Sequence, residues 1–283
     1  MMKNTLLALL VALPTWLSAQ SYEDAKNIVA IGGPVTEIIF ALGAGDRVVA
    51  RDTTSVYPNE VHSLPDVGYM RRLSAEGVLS VAPDLIVTRD TAGPPEALDQ
   101  LRAASVPMVE VHDGFSPDST VNAILTIGEA LGKTDEASAL AYDVEAKFAA
   151  LMNDTANGPK PRAMFILSTR GGRLNVAGRG TGAHGVIKLA GAVNVMGEAF
   201  EGYKPASAEA IIQAAPDVIV MMSSGNGHTA KADEILSMPA ISQTPAGELG
   251  AFALVNSAAL GFGPRTPGLV SELRAKILAE ITQ

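Results

Sequence analysis

An internal repeat limits the folds open to this sequence more than any other feature does. The segment LSAEGVLSVAPDLIV, which begins at Leu73, returns from Ala206 as ASAEAIIQAAPDVIV, and Glu76 and Glu209 are 133 residues apart. Each copy has the pattern of a serine N-cap, a short helix with an acidic first turn, a proline that ends the helix, and an apolar strand. The repeat therefore predicts two similar α/β lobes.

Short apolar runs rich in valine and isoleucine alternate with amphipathic helical patterns along the chain. The predicted strands lie at 27–32, 47–52, 84–90, 106–111, 163–169, 217–222 and 252–256, and the predicted helices at 35–44, 97–105, 185–192 and 207–215. Uninterrupted apolar strands of this kind indicate parallel sheets that helices cover on both faces. We therefore expect a parallel α/β sheet in each lobe.

The segment 119–154 separates the two series of strands and has no strand pattern of its own. Apolar residues recur in it at helical spacing, as at Val144 and Phe148. The spacing predicts one helix or a helix pair that connects an N-terminal lobe at 20–118 with a C-terminal lobe at 155–283.

The first 19 residues are typical of a secretory signal peptide, because Lys3 precedes an apolar run that ends in the small residues Ser18 and Ala19. The run is too short for a helix that spans a membrane. We expect cleavage after Ala19 and a mature protein in the periplasm that is not embedded in a membrane. The formal net charge of -9 argues against nucleic acid as a partner, and with no cysteine the fold depends on its apolar core.

The first copy of the repeat is preceded by GYMRR, in the loop between the strand at 47–52 and the repeated helix. Tyr69 could simply pack, and Arg71 and Arg72 could form a solvated surface pair. A phenol beside guanidinium groups is also suited to a ferric ion whose chelator carries carboxylates, because phenolate binds ferric iron and arginine pairs with carboxylates in a forked geometry. The residue types alone leave both interpretations open.

Motifs for catalysis or for a nucleotide cofactor are incomplete. GEALGKT at 128–134 has three residues between its glycines, where a phosphate-binding loop has four, and GRGTGAHG at 178–185 lacks the dinucleotide-loop spacing. The histidines, which have no zinc-enzyme spacing, are His62, His112, His184 and His228. An exported α/β oxidoreductase is the alternative of another class, and its cofactor loop is missing.

The sequence resembles the periplasmic haemin-binding proteins of bacterial haem-uptake ABC transporters. The segments that carry the resemblance include AIGGPVTEIIFALGAGDRVVARDTTSVYP, LPDVGYMRRLSAEGVLSVAPDLIV, AGPPEALDQLRAASVPMVEV, YKPASAEAIIQAAPDVIVM and LGFGPRTP. Those proteins are similar to vitamin B12 and ferric-siderophore binding proteins. The resemblance implies two α/β lobes bridged by one long helix, a ligand in the cleft between them, and no catalytic step. The same fold carrying a ferric siderophore or cobalamin is the alternative.

The resemblance also implies roles for single residues. Tyr69 matches the tyrosine that ligates the iron of ferric haem b, and Arg71 and Arg72 would contact the haem propionates. Arg265, in the segment GFGPR, would face the cleft from the C-terminal lobe. Thr169 stands where some members have a histidine that helps to hold a second haem. We therefore expect one haem, with Arg170 as a further propionate partner.

Glu76 and Glu209 match the acidic residues, one in each lobe, that dock onto arginines of the transporter permease. This role would explain the repeat, because two pseudo-symmetric lobes would present one glutamate each to a two-fold permease. The expected partners are thus haem and a permease dimer with its ATPase, and the protein itself is expected to be a monomer.

Overall fold

The chain folds into two α/β lobes, as the sequence predicts. The computed structural model describes residues 21–223 and 232–282. The predicted signal peptide at 1–19 and His228 lie outside the described residues. Within them, no helix combines the length and the apolar character that are needed to cross a lipid bilayer.

The N-terminal lobe is built on a four-stranded parallel sheet. Its strands and helices are β1 (Ile28–Ile31), α1 (Gly33–Ala41), β2 (Val48–Arg51), α2 (Ala75–Leu79), β3 (Leu85–Arg89), α3 (Pro95–Ala103), β4 (Met108–Val111) and α4 (Pro117–Ala130). The strand order is β2-β1-β3-β4. Every residue of β1 and β3 is buried, because α1 and α4 pack against one face of the sheet and α2 and α3 against the other. Burial on both faces accounts for the wholly apolar sequence of β1 and for the apolar first three residues of β3.

A helix pair occupies the predicted connector at 119–154, and its second helix bridges the lobes. This helix, α5 (Thr134–Ala156), has 23 residues and is therefore about 35 Å long. Val144 and Phe148 of α5 belong to the core of the N-terminal lobe, whereas Leu151 belongs to the core of the C-terminal lobe. One continuous helix thus contributes to both cores, as the single bridging helix was expected to do.

The C-terminal lobe is built on a six-stranded sheet. Its strands and helices are β5 (Arg162–Arg170), β6 (Arg173–Ala177), α6 (Gly182–Leu189), β7 (Val193–Asn194), β8 (Tyr203–Ala206), α7 (Ala208–Ala214), β9 (Val218–Ser223), α8 (Ala232–Leu236), α9 (Pro239–Ser242), α10 (Pro245–Leu249), β10 (Phe252–Asn256) and α11 (Thr266–Ile281). The strand order is β10-β9-β5-β6-β8, and β7 also pairs with β5. The strands β10, β9, β5 and β7 are parallel.

One edge of this second sheet is antiparallel, which the sequence analysis does not predict. Strand β6 returns along β5 through Gly171 and Gly172, whose φ angles of 57° and 74° suit a tight hairpin turn. Strand β8 then pairs antiparallel with β6. Its sequence YKPA contains a proline, which is tolerated because β8 lies at the edge of the sheet. The proline also interrupts the apolar pattern by which a strand is predicted from sequence.

The repeated segment forms the same structure in both lobes. Ser74 and Ser207 cap α2 and α7, and their hydroxyls accept hydrogen bonds from backbone N–H groups at 3.3 Å and 3.2 Å. The aspartate after each proline ties the repeat to the neighbouring strand: Asp84 accepts from the backbone of Asn27 just before β1, and Asp217 from that of Arg162 in β5. The repeat is therefore a structural module that places a capped helix and a central strand in each lobe.

Candidate functional site

A cavity of about 690 Å³ lies between the lobes. Its walls are loops and helix starts that follow the carboxyl ends of strands, with Gly33, Thr54 and Asp113 from the N-terminal lobe and Ser257 and Leu260 from the C-terminal lobe. In parallel α/β sheets this end of the strands is where ligands bind. The volume lies within the range of about 300–1,000 Å³ that is usual for small-molecule sites.

Three consecutive residues of the loop that carries GYMRR line the cavity: Tyr69, Met70 and Arg71. Met70 is 5% exposed and also belongs to the core of the N-terminal lobe, whereas Tyr69 and Arg71 on either side of it are exposed. The backbone turns sharply here, because the N–H of Arg72 donates to the carbonyl of Tyr69 at 2.7 Å. Arg72 is exposed and does not line the cavity. Met70 thus anchors this part of the loop in the core, between two exposed residues that line the cavity.

A second tyrosine, Tyr203, lines the cavity from the C-terminal lobe, and the sequence analysis assigns it no role. Its ring packs against Phe165, with 6.4 Å between the ring centroids. Burial raises the pKa of Tyr203 above its ordinary value, and nearby Thr181 and the backbone of Ala183 oppose this effect. The charge of Arg71, which lines the same cavity from the N-terminal lobe, also lowers this pKa.

A signal for Tyr203 was present in the sequence. Gly202 and Tyr203 precede the second copy of the repeat as Gly68 and Tyr69 precede the first, but at an offset of 134 rather than 133 residues. The single-residue shift leaves this Gly-Tyr pair out of a strict alignment of the two copies.

A buried ion pair forms part of the cavity wall in the N-terminal lobe. Arg89, at the end of β3, pairs with Asp113, and both residues line the cavity. The hydroxyl of Thr91 donates to the same carboxylate at 2.8 Å. Burial, followed by the charge of Arg71, lowers the pKa of Arg89 to about 10. Arg89 therefore remains a cation at neutral pH, in a position that the sequence analysis did not single out.

Arg265 joins the two lobes at the rim of the cavity. Its guanidinium donates to both carboxylate oxygens of Glu37 on α1, at 2.5 Å and 3.2 Å, and lies 3.6 Å from the ring centroid of Tyr57. Glu37 lines the cavity, whereas Arg265 does not. Burial raises the pKa of Glu37, and the hydrogen bond and charge of Arg265 oppose this rise. The geometry thus gives Arg265 two protein partners in the opposite lobe.

Glu76, Glu209 and Thr169 do not line the cavity. Glu76 and Glu209 are exposed in the first turns of α2 and α7, one in each lobe. Hydrogen bonds with its own backbone N–H and with Ser207 lower the pKa of Glu209. Thr169 is exposed near the end of β5, and the side chain of Arg170 lies outside the part of the chain that the structure describes.

Comparison with protein families and solved structures places this architecture among known proteins. A sequence profile described as "Periplasmic binding protein" matches residues 28–258. The fold is similar to the periplasmic haem-binding protein RhuT from Roseiflexus sp. RS-1, with a TM-score of 0.85 and 36% identity over 91% of this chain and 99% of that one. It is also similar to the periplasmic haem-binding protein BhuT in complex with two haems, with a TM-score of 0.84 and 35% identity over 90% and 99% of the two chains.

Curated relatives widen the range of ligands. A Bacillus subtilis ABC transporter substrate-binding lipoprotein, YvrC, is 29% identical over 70% of this chain, and the match spans 64% of that protein. A vitamin B12-binding protein of Vibrio parahaemolyticus is 25% identical over 73% of this chain and 75% of its own length. The relatives therefore include both haem-binding and vitamin B12-binding proteins.

Proposed function

Because the chain belongs to the periplasmic binding protein family, we propose that it binds ferric haem in the periplasm and delivers it to an ABC importer. The observation that carries this proposal is the pair Tyr69 and Arg71, which face one cavity of about 690 Å³ from a single anchored loop. Members of this family are substrate-binding proteins and not enzymes, which excludes the oxidoreductase alternative. Residues 1–19 would direct export and be cleaved from the exported chain.

Tyr69 is the proposed iron ligand. A phenolate is a hard, anionic donor that suits ferric iron, and coordination to the metal lowers the pKa of the phenol that must lose its proton. Arg71, which lines the same cavity two residues further on, can pair with a propionate. Apolar side chains that could pack against a porphyrin come from both lobes, as Val56 and Leu167 do in the cavity wall.

Haem fits the cavity better than the alternative ligands do. The cavity wall carries two arginines, Arg71 and Arg89, which suit the carboxylates of haem. Cobalamin is a much larger molecule and carries amides in place of those carboxylates. The vitamin B12-binding relatives nevertheless make cobalamin the second candidate, and it should be tested beside haem.

Glu76 and Glu209 are the proposed docking residues for a permease dimer that works with an ATPase. Both are exposed, they lie at equivalent positions of the repeat, and each follows a serine N-cap that fixes its helix. Their separation from the cavity supports a role in docking rather than in ligand binding.

The proposal is tested by absorbance titration of the purified mature protein with haemin and, separately, with cyanocobalamin. We expect one haem per chain and a high-spin ferric spectrum typical of tyrosine ligation. Tyr69→Phe should abolish that spectrum, whereas the matched variant Tyr203→Phe should retain it. Tight binding of cobalamin without haemin binding would favour the second candidate, and an unchanged spectrum in Tyr69→Phe would remove Tyr69 as the ligand.

A further inference from the structure

Arg89 is held in the wall of the cavity by the close approach of β1 and β3. Gly32, which follows β1, has a φ of 108°, and a Cβ atom added there would lie 2.7 Å from Cδ of Arg89. The arginine side chain is 10% exposed. The stem of Arg89 is therefore packed inside the N-terminal lobe, and the position of its guanidinium is fixed before any ligand enters.

The guanidinium has donors beyond those that its protein partner uses. Nη2 pairs with Asp113, whose other carboxylate oxygen accepts the hydroxyl of Thr91. Nη1 lies near Gly261, which lines the cavity from the C-terminal lobe. A Cβ atom built on Gly261 would be 3.8 Å from Nη1. Because an arginine carries five N–H donors, Arg89 can keep its pair with Asp113 and still donate into the cleft.

Arg71 faces the same cavity from the neighbouring loop. Its charge is close enough to contribute to the lowered pKa of Arg89, which remains protonated at neutral pH. Two cations that share a partly buried site repel each other, and an anion placed between them relieves this repulsion. The pair is thus suited to a ligand with carboxylates on the edge that enters this end of the cavity.

We propose that Arg89 is a specificity-determining residue that, together with Arg71, binds the carboxylate-bearing edge of the tetrapyrrole. The site would then select porphyrins that carry two ionised propionates on one edge over equally apolar porphyrins without them. This inference rests on the proposed haem-binding function, and it adds a residue for which the family resemblance gave no role.

The test compares haemin with haemin dimethyl ester, in which both propionates are uncharged. The wild-type protein should bind haemin more tightly than the ester. Arg89→Gln should lower the affinity for haemin about tenfold, the usual effect of losing one charge-assisted hydrogen bond, and leave the affinity for the ester unchanged. Arg102→Gln on α3 is the matched control, because Arg102 is exposed and does not line the cavity, and it should alter neither affinity.

The outcomes separate this inference from the proposed function. Equal weakening of both ligands by Arg89→Gln, or no change in either, would overturn the inference and leave haem binding intact. Failure of the wild-type protein to bind haemin would overturn both. If Arg89→Gln does not fold because Asp113 is left without its partner, the double variant with Asp113→Asn removes both charges, and the same loss of discrimination is expected.

Discussion

Tyr69 and Tyr203 follow equivalent glycines in the two lobes, yet their surroundings suit them to different roles. Tyr69 is 39% exposed at the cavity, whereas Tyr203 is half-buried against Phe165 and its pKa is raised by that burial. A phenol with a raised pKa keeps its proton and acts as a hydrogen-bond donor or a packing surface. The exposed phenol is therefore the better candidate for a phenolate ligand.

The prediction at the scale of a single residue concerns Gly32. Gly32→Ala should destabilise the protein by about 1–3 kcal/mol, because alanine is strained at a φ of 108° and its methyl group collides with the Arg89 side chain. Haemin affinity should fall as well, since the collision displaces the guanidinium. Urea denaturation and haemin titration measure the two effects. The control is Gly268→Ala in α11, where the added methyl group has open space; equal stability of the two variants would contradict the prediction.

At the scale of helices and strands, sequence patterns identify most of the parallel strands and miss the antiparallel edge and the shortest helices. Strands β1 and β3, whose residues are all buried, lie within one residue of their predicted bounds. The apolar runs of β9 and β10 predict those strands equally well, although β10 is only partly buried. Strand β8 and the short helices α8 to α10 have too few residues for a period to appear, and their form depends on neighbours that are distant in sequence.

The same difference applies to the site. Tyr69 and Arg71 could be predicted to lie near each other because they share one loop. The contact between Arg89 and Asp113 could not be predicted in this way. Arg89 is the last residue of β3 and Asp113 follows β4, and only the parallel pairing of these strands brings the two residues together. Residues that share a loop can be predicted to be neighbours from the sequence alone. Residues at the ends of adjacent strands can be predicted to be neighbours only when the order and register of the strands are known.

The prediction for an element concerns the bridging helix α5. Phe148 is 1% exposed in the core of the N-terminal lobe, and Phe148→Ala should lower the free energy of unfolding by about 3–5 kcal/mol through the cavity that it leaves. Tyr142, on the same helix, is 76% exposed, and Tyr142→Ala should change the stability little. Chemical denaturation of the two variants makes the comparison, and similar losses would show that α5 is not packed as described.

For the whole molecule, the repeat makes a prediction about docking. The double variant Glu76→Ala and Glu209→Ala should bind haemin as the wild-type protein does, because neither residue lines the cavity. It should fail to stimulate ATP hydrolysis by the reconstituted transporter, since both proposed contacts with the permease are lost. Each single variant should have an intermediate effect. A loss of haemin affinity in the double variant would instead make these glutamates part of the ligand site.

The lobes are also joined at the rim of the cavity, so their relative position depends on more than α5. Arg265 binds Glu37 and packs on Tyr57, and the hydroxyl of Thr120 donates to the carbonyl of Phe262 at 3.2 Å. Contacts on this side of the cleft favour one arrangement of the lobes. We expect a bridging helix combined with such contacts to limit ligand-linked motion to small displacements of the lobes.

The ion pair between Arg265 and Glu37 should make this connection dependent on pH. Burial raises the pKa of Glu37, so its carboxylate becomes protonated at a higher pH than an ordinary glutamate does. Arg265 stays a cation, and the ionic attraction within the pair is lost as the pH falls through that value. Arg265→Gln removes the cation and leaves a buried carboxylate, which should cost about 1–3 kcal/mol of stability at about pH 7.5. The cost should be smaller at about pH 5, because a protonated Glu37 no longer needs the cation.

Urea denaturation of the wild-type and variant proteins at both pH values measures the difference, with exposed Arg72→Gln as the control. A cost that is the same at both pH values would show that the pair does not hold the lobes together through its charge.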